Sequence, residues 1–232
     1  MITLKYLLSI CLLNSIFSLS QITAISGGQN IVMGSSIKGG IYRNQSINSQ
    51  KPLGSPYIST QFELAEIHNI EGQTKMRYNG YDDVFEFITV TNDTLVLDKK
   101  ANFEIVKFVN QKKKYCLLNY TDFKKDNITG YLEELYVVGN YSIFKKEIIN
   151  FREEKLGITS MEGNMPAKYY TSNPVYYLKV RKILIEFPAS KKELQKNFST
   201  KTDALDSFFK ENKINFDDEN DLKKIIDFLS GI

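Results

Sequence analysis

Three carboxylates crowd one short stretch, Asp82, Asp83 and Glu86, with Arg77, Tyr78 and Tyr81 beside them. Paired carboxylates are the residue types for acid–base hydrolysis or for holding a hard cation such as calcium. Asp in a hairpin turn offers a plainer use, because its side chain caps nearby backbone N–H groups in an Asx turn. The turn reading is the one the pattern favours. Arg77, Tyr78, Tyr81, Asp82, Asp83 and Glu86 are nevertheless the residues to watch for binding. A second acidic run, Asp217-Asp218-Glu219-Asn220-Asp221, lacks the mid-loop glycine and alternate spacing of a calcium loop and reads as helix capping.

Nucleophilic catalysis, by a Ser-His-Asp triad or by Cys116, would need His68, the one imidazole in the chain, as its base. His68 stands beside Asn69 at the end of an expected strand, which suits a solvated or capping imidazole. Cys116 lies in Tyr-Cys-Leu-Leu, a strand-like string that buries an inert thiol. No phosphate loop, G-x-S-x-G elbow, H-E-x-x-H or C-x-x-C is present. No catalytic residue, metal or cofactor is therefore expected, and the protein reads as a non-enzyme. The nearly balanced charge, +3 overall, and only four Arg among 30 basic residues argue against a nucleic-acid partner.

The aromatic supply is the unusual resource: 14 Tyr and 15 Phe but no Trp. Tyr78, Tyr81, Tyr131, Tyr136, Tyr141, Tyr169, Tyr170, Tyr176 and Tyr177 all fall in or beside expected strands. A phenol buries a large ring and keeps a polar tip, so it serves either a half-buried strand or a face open to a partner. Core and strand packing is the plainer use.

The elements that must hold these groups alternate with period two. Strands are expected at 62–68, 75–79, 84–90, 94–97, 103–109, 115–120, 131–138, 141–149, 175–178 and 182–187. Residues 152–174, with Gly157, Gly163, Pro166 and Pro174, read as loop. Ten short strands without intervening helices predict an antiparallel meander, as a sandwich, barrel or half-barrel. After Pro188 the period changes. Ser190, Thr202 and Asp217 or Asp218 are the expected caps of three short helices, the last burying Leu222, Ile225, Ile226 and Leu229. The fold class is α+β: a β-rich domain over 56–187 and a C-terminal helical subdomain over 188–232.

The first 20 residues have the layout of a secretory signal peptide. Lys5 precedes an apolar run of about a dozen residues, and Ser18 and Ser20 suit cleavage before Gln21. The run is too short for a membrane anchor. Cleavage would leave Cys116 as the one cysteine, so stability must come from the core. Residues 21–55, rich in Gly, Ser and Asn, read as a flexible leader. Six Asn-x-Ser/Thr triplets, at Asn44, Asn92, Asn119, Asn127, Asn140 and Asn197, read as a by-product of an Asn-rich composition whose Lys, Asn and Ile bias suggests a bacterium.

Gly54-Ser55-Pro56-Tyr57, Arg77-Tyr78-Asn79, Tyr81-Asp82-Asp83 and Glu86-Phe87 recur with a Lys-rich tail, Phe209-Lys210-Glu211-Asn212-Lys213-Ile214 then Asp221-Leu222. Over residues 54–232 this resembles a family of uncharacterised secreted and periplasmic proteins of AT-rich Gram-negative bacteria. The resemblance implies a periplasmic or surface location and supplies no activity. The family pattern has a glycine-containing turn in the last hairpin, where this chain has Val180-Arg181. The expected protein is thus a secreted or periplasmic binding or structural module of the cell envelope, with outer-membrane association in view. Its partner would be an unknown protein or envelope component, and no membrane span would remain after cleavage. The alternatives are a carrier of lipid or another hydrophobic ligand in a half-barrel, and a hydrolase built on the acidic cluster.

Overall fold

The computed structural model describes residues 51–99, 103–122, 125–157 and 163–232. The signal-peptide segment and the leader up to residue 50 lie outside the described residues. Ten strands form one antiparallel sheet: β1 Glu63–Ile67, β2 Thr74–Asn79, β3 Val84–Ile88, β4 Thr94–Val96, β5 Ile105–Phe108, β6 Lys114–Thr121, β7 Asn127–Val138, β8 Tyr141–Arg152, β9 Lys168–Val180 and β10 Ile183–Glu186. Their order is β10-β9-β8-β7-β6-β5-β1-β2-β3-β4. Successive strands are neighbours except at one place: β5 pairs with β1 rather than with β4. Three helices follow, α1 Lys191–Asn197, α2 Thr202–Glu211 and α3 Glu219–Ser230. The fold is α+β, dominated by the antiparallel sheet.

Both faces of the sheet are buried, which is where the aromatic supply goes. Adjacent residues of a strand point to opposite faces, and neighbours here enter different cores. Tyr115 and Tyr131 join Met76, Tyr78, Phe85, Phe87 and Phe108 in one cluster. Cys116 and Leu132, the next residues along, join Tyr120, Phe144 and Tyr177 in another. The rings of the first cluster meet edge to face, as between Phe85 and Tyr131 with centroids 4.7 Å apart and planes at 81°. A third cluster holds the helices: Leu222, Ile225, Ile226 and Leu229 of α3 fall on one helix face and pack with Ile143, Leu178 and Phe187.

The sequence expectation needs three corrections. The stretch 152–174 is not all loop, since β8 runs to Arg152 and β9 starts at Lys168. Pro174 misled the reading because proline cannot donate to a ladder. It is tolerated at the bulge between β8 and β9, where the register shifts between Lys146 and Ile148. Second, β7 begins at Asn127 rather than at residue 131. Third, Thr202 does not cap α2; a 3-10 turn, Ser199–Lys201, leads into it and the Thr202 hydroxyl donates to the Ser199 carbonyl at 2.9 Å. Ser190 and Asp218 do cap α1 and α3. In the last hairpin Arg181 adopts φ +55°, the conformation a glycine would favour there.

A row across the sheet ties the helices down. Tyr115, Glu133, Lys145 and Tyr176 lie side by side on β6, β7, β8 and β9. Lys145 reaches Glu133 at 3.4 Å and Glu219, the first residue of α3, at 3.1 Å. Burial opposes the charge on Lys145. The carboxylates of Glu133, Glu219 and Glu147 outweigh it and hold the ammonium above the usual lysine range.

Candidate functional site

The turn between β2 and β3, residues 80–83, carries Asp83 of the acidic cluster into a fork in the sheet. β7 pairs with β6 from Asn127 onward, but its pairing with β8 begins only at Glu133 opposite Lys145. Beyond that rung β8 continues with β9 alone, so β7 and β8 part. Gly80 fits here because a Cβ at this position would lie 3.0 Å from Ile58 and 3.2 Å from Ile149 of β8. Asp83 follows with φ +55°, a left-handed conformation that Asp tolerates better than most residues.

The Asp83 carboxylate fills the fork. It accepts the Tyr131 backbone N–H of β7 at 3.2 and 3.3 Å, the Tyr78 hydroxyl at 2.5 Å and Lys99 Nζ at 2.6 Å. Lys146 of β8 also donates to it, and donates in addition to the Tyr78 hydroxyl at 2.8 Å and the Tyr131 carbonyl at 3.2 Å. Carboxylate and ammonium thus take over both main-chain groups of Tyr131 that β8 no longer pairs. Burial lowers the Lys146 pKa from its usual value, with Asp83 acting in the opposite direction. Burial first, then Asp83, pushes the Tyr78 phenol well above its usual range. Gly130 lies directly beneath, where a Cβ would come within 2.5 Å of Asp83 Oδ2.

The other candidate residues go elsewhere. Arg77 and Glu86 are directly opposite each other on β2 and β3. Arg77 Nε and Nη2 donate to Glu86 Oε2 at 2.8 and 2.6 Å. The guanidinium carbon lies 3.6 Å from the Tyr57 ring centroid and 4.4 Å from that of Phe62. Tyr57 donates to Glu86 at 3.1 Å, and its pKa is pushed up to about 12 by burial and then by Glu86. Asp82 is exposed and accepts from Asn79 Nδ2 at 2.8 Å. The Asx turn expected of the aspartates is made by Asn79 instead. Its Oδ1 accepts from the Tyr81 and Asp82 N–H groups at 3.1 and 3.0 Å.

The six watched residues therefore divide three ways. Tyr78 and Asp83 enter the fork, Arg77 and Glu86 form a clamped pair, and Tyr81 and Asp82 face outward. The sequence reading missed Lys99, Lys146 and Tyr57. Their sole signal was a lysine or tyrosine beside an apolar run, and Lys146 meets Asp83 from 63 residues away.

Tyr81 is 45% exposed. Its ring stands edge-on to Tyr169 and Phe151, with centroids 5.3 and 6.1 Å away, while Phe151 and Tyr169 are 4.7 Å apart. Leu53 pairs with the edge of β9 at this end, bonding through Ala167 and Tyr169, and is itself 52% exposed. A separate open hollow of about 590 Å³ lies by the β1–β2 turn, rimmed by Glu66, His68, Asn69, Gln73 and Lys107. Cys116 is buried, and burial followed by Glu134 pushes its thiol up to about 11, so little thiolate forms near neutral pH. Among the described residues no group of three or more His, Cys, Asp or Glu side chains is placed to hold a metal ion, and no helix is long and apolar enough to cross a membrane. No family model, curated protein or solved structure matches this chain.

Proposed function

We propose that this chain is an exported, non-enzymatic binding module whose partner is a protein or another component of the cell envelope, engaged through the aromatic end formed by Tyr81, Phe151 and Tyr169. The exposed Tyr81 ring, held edge-on by two others, is the observation that carries the reading. Three rings that brace one another present a large rigid contact surface with little conformational entropy left to lose on binding. The carboxylates support it from the other side. A hydrolytic carboxylate needs a face open to substrate, whereas Asp83 and Glu86 are tied to Lys99, Lys146 and Arg77.

The carrier alternative asks for an apolar hollow inside a half-barrel. On the face of the sheet that carries Phe85, the rings of Tyr78, Phe108, Tyr115 and Tyr131 all pack against it, with centroids 4.7 to 5.9 Å away, where a carrier would need room for its ligand. The test of the binding reading is cross-linked affinity capture from envelope extracts with the wild-type chain and with Tyr81→Ala. A partner held by the wild type and lost by the variant is expected. A wild-type chain that stays monomeric and uncross-linked at all protein concentrations would overturn the reading.

A further inference from the structure

Asp83 in the β2–β3 turn and Lys146 on β8 meet from 63 residues apart, and Lys146 Nζ is in contact with Asp83 Oδ1. Their side chains are only 14% and 18% exposed. An amine and a carboxyl held together away from water are the reactants of an amide bond. Fixing them in contact supplies the encounter that makes this condensation slow between free molecules. An ion pair requires nothing beyond that contact. A condensation also requires a proton path, donors for a developing oxyanion, and a setting of low polarity that favours the uncharged amine. The fork supplies all three.

The proton path is the Tyr78 hydroxyl, which accepts from Lys146 Nζ at 2.8 Å and donates to Asp83 Oδ1 at 2.5 Å. The oxyanion donors sit on the other oxygen, Oδ2, where Lys99 Nζ lies at 2.6 Å and the Tyr131 N–H at 3.3 Å. The setting is the burial that lowers the Lys146 pKa, with Asp83 opposing it and the Lys99 charge adding to it.

We infer that Asp83 and Lys146 condense after folding into an intramolecular isopeptide bond between Asp83 Cγ and Lys146 Nζ. The ion pair in the fork is its precursor. Lys146 Nζ first passes one proton to Oδ1, leaving an amine beside a carboxylic acid. The amine lone pair attacks Cγ, and the carbonyl electron pair moves onto Oδ2 between Lys99 and the Tyr131 N–H. A second Nζ proton travels through the Tyr78 hydroxyl to Oδ1. The Cγ–Oδ1 bond breaks, Oδ1 leaves as water, and the Oδ2 electron pair restores the carbonyl. Ammonium and carboxylate thus become amide and water, with nothing oxidised or reduced. The bond ties β8 to the β2–β3 turn in a chain whose described part holds one cysteine and therefore no disulfide.

The test is the mass of the purified, folded full chain, followed by protease digestion and peptide sequencing by mass. The expected intact mass is lower than that of the same polypeptide by one water. The digest should contain a branched peptide joining Asp83 to Lys146, with no cleavage after Lys146. Both signs should vanish in Lys146→Arg and in Asp83→Ala. A folded wild-type chain of unreduced mass, with Asp83 and Lys146 on separate peptides, would overturn the inference and leave the pair as an ion pair. A water loss that persists in Lys146→Arg would overturn it too, because an aspartyl imide then accounts for the loss.

Discussion

At the scale of single residues, adjacent aspartates have opposite roles. Asp82 faces solvent and bonds the Asn79 amide, whereas Asp83 neutralises two lysines inside a fork. Asp83→Ala leaves the Lys146 ammonium in a buried site without its carboxylate, and removing one partner of such a pair is costly. Chemical denaturation should show a loss of about 3 kcal/mol or more for Asp83→Ala, against less than about 1 kcal/mol for Asp82→Ala. Equal losses would contradict the assignment. The difference between the neighbours was not legible in the sequence. Both are acids in one turn, and what separates them is contact with Lys99, Lys146 and the Tyr131 backbone, which are 16, 63 and 48 residues away. The fate of Cys116 was legible, because its place in an apolar strand string already implied burial.

At the scale of elements, the fork between β7 and β8 is maintained by side chains standing in for a strand. Gly130 leaves room for this, since a Cβ there would meet Asp83 Oδ2 at 2.5 Å and the Tyr120 hydroxyl at 3.0 Å. Gly130→Ala should therefore destabilise the protein by displacing Asp83, and its cost should fall sharply when Asp83→Ala is already present. A double-mutant cycle by urea unfolding measures the coupling, predicted at 1 kcal/mol or more by order of magnitude for residues in contact; additive costs would mean that Gly130 does not act through Asp83. Most strands could be read directly, because alternation of apolar and polar residues marks a sheet element locally. The first half of β9 could not, since Asn173-Pro174 is locally a turn signal and only the bulge opposite Glu147 accommodates it. The fork itself leaves no local pattern: β7 is buried without a break from Gly130 to Glu133, so nothing in the string marks the point where its partner departs.

At the scale of the whole molecule, a chain with one cysteine in its described part is held by rings packed on two faces of one sheet. Burial raises the phenol pKa of Tyr57, Tyr78, Tyr115, Tyr120, Tyr131 and Tyr177. The unfolded chain releases these protons near pH 10, while the folded chain keeps them to higher pH. The folded state therefore binds more protons in that window, and stability should fall as pH rises through about 10. Tyrosinate absorbance should show one group of phenols titrating normally and the rest appearing only with loss of the sheet's circular dichroism. A single normal titration with the fold intact would contradict the packing account. The central claim divides labour: the charged cluster serves the fold, and the exposed rings serve a partner. Its most direct test is partner recovery by Tyr81→Ala at a stability matched to wild type. The account predicts unchanged unfolding and lost recovery; undiminished recovery with Tyr81 truncated would contradict it.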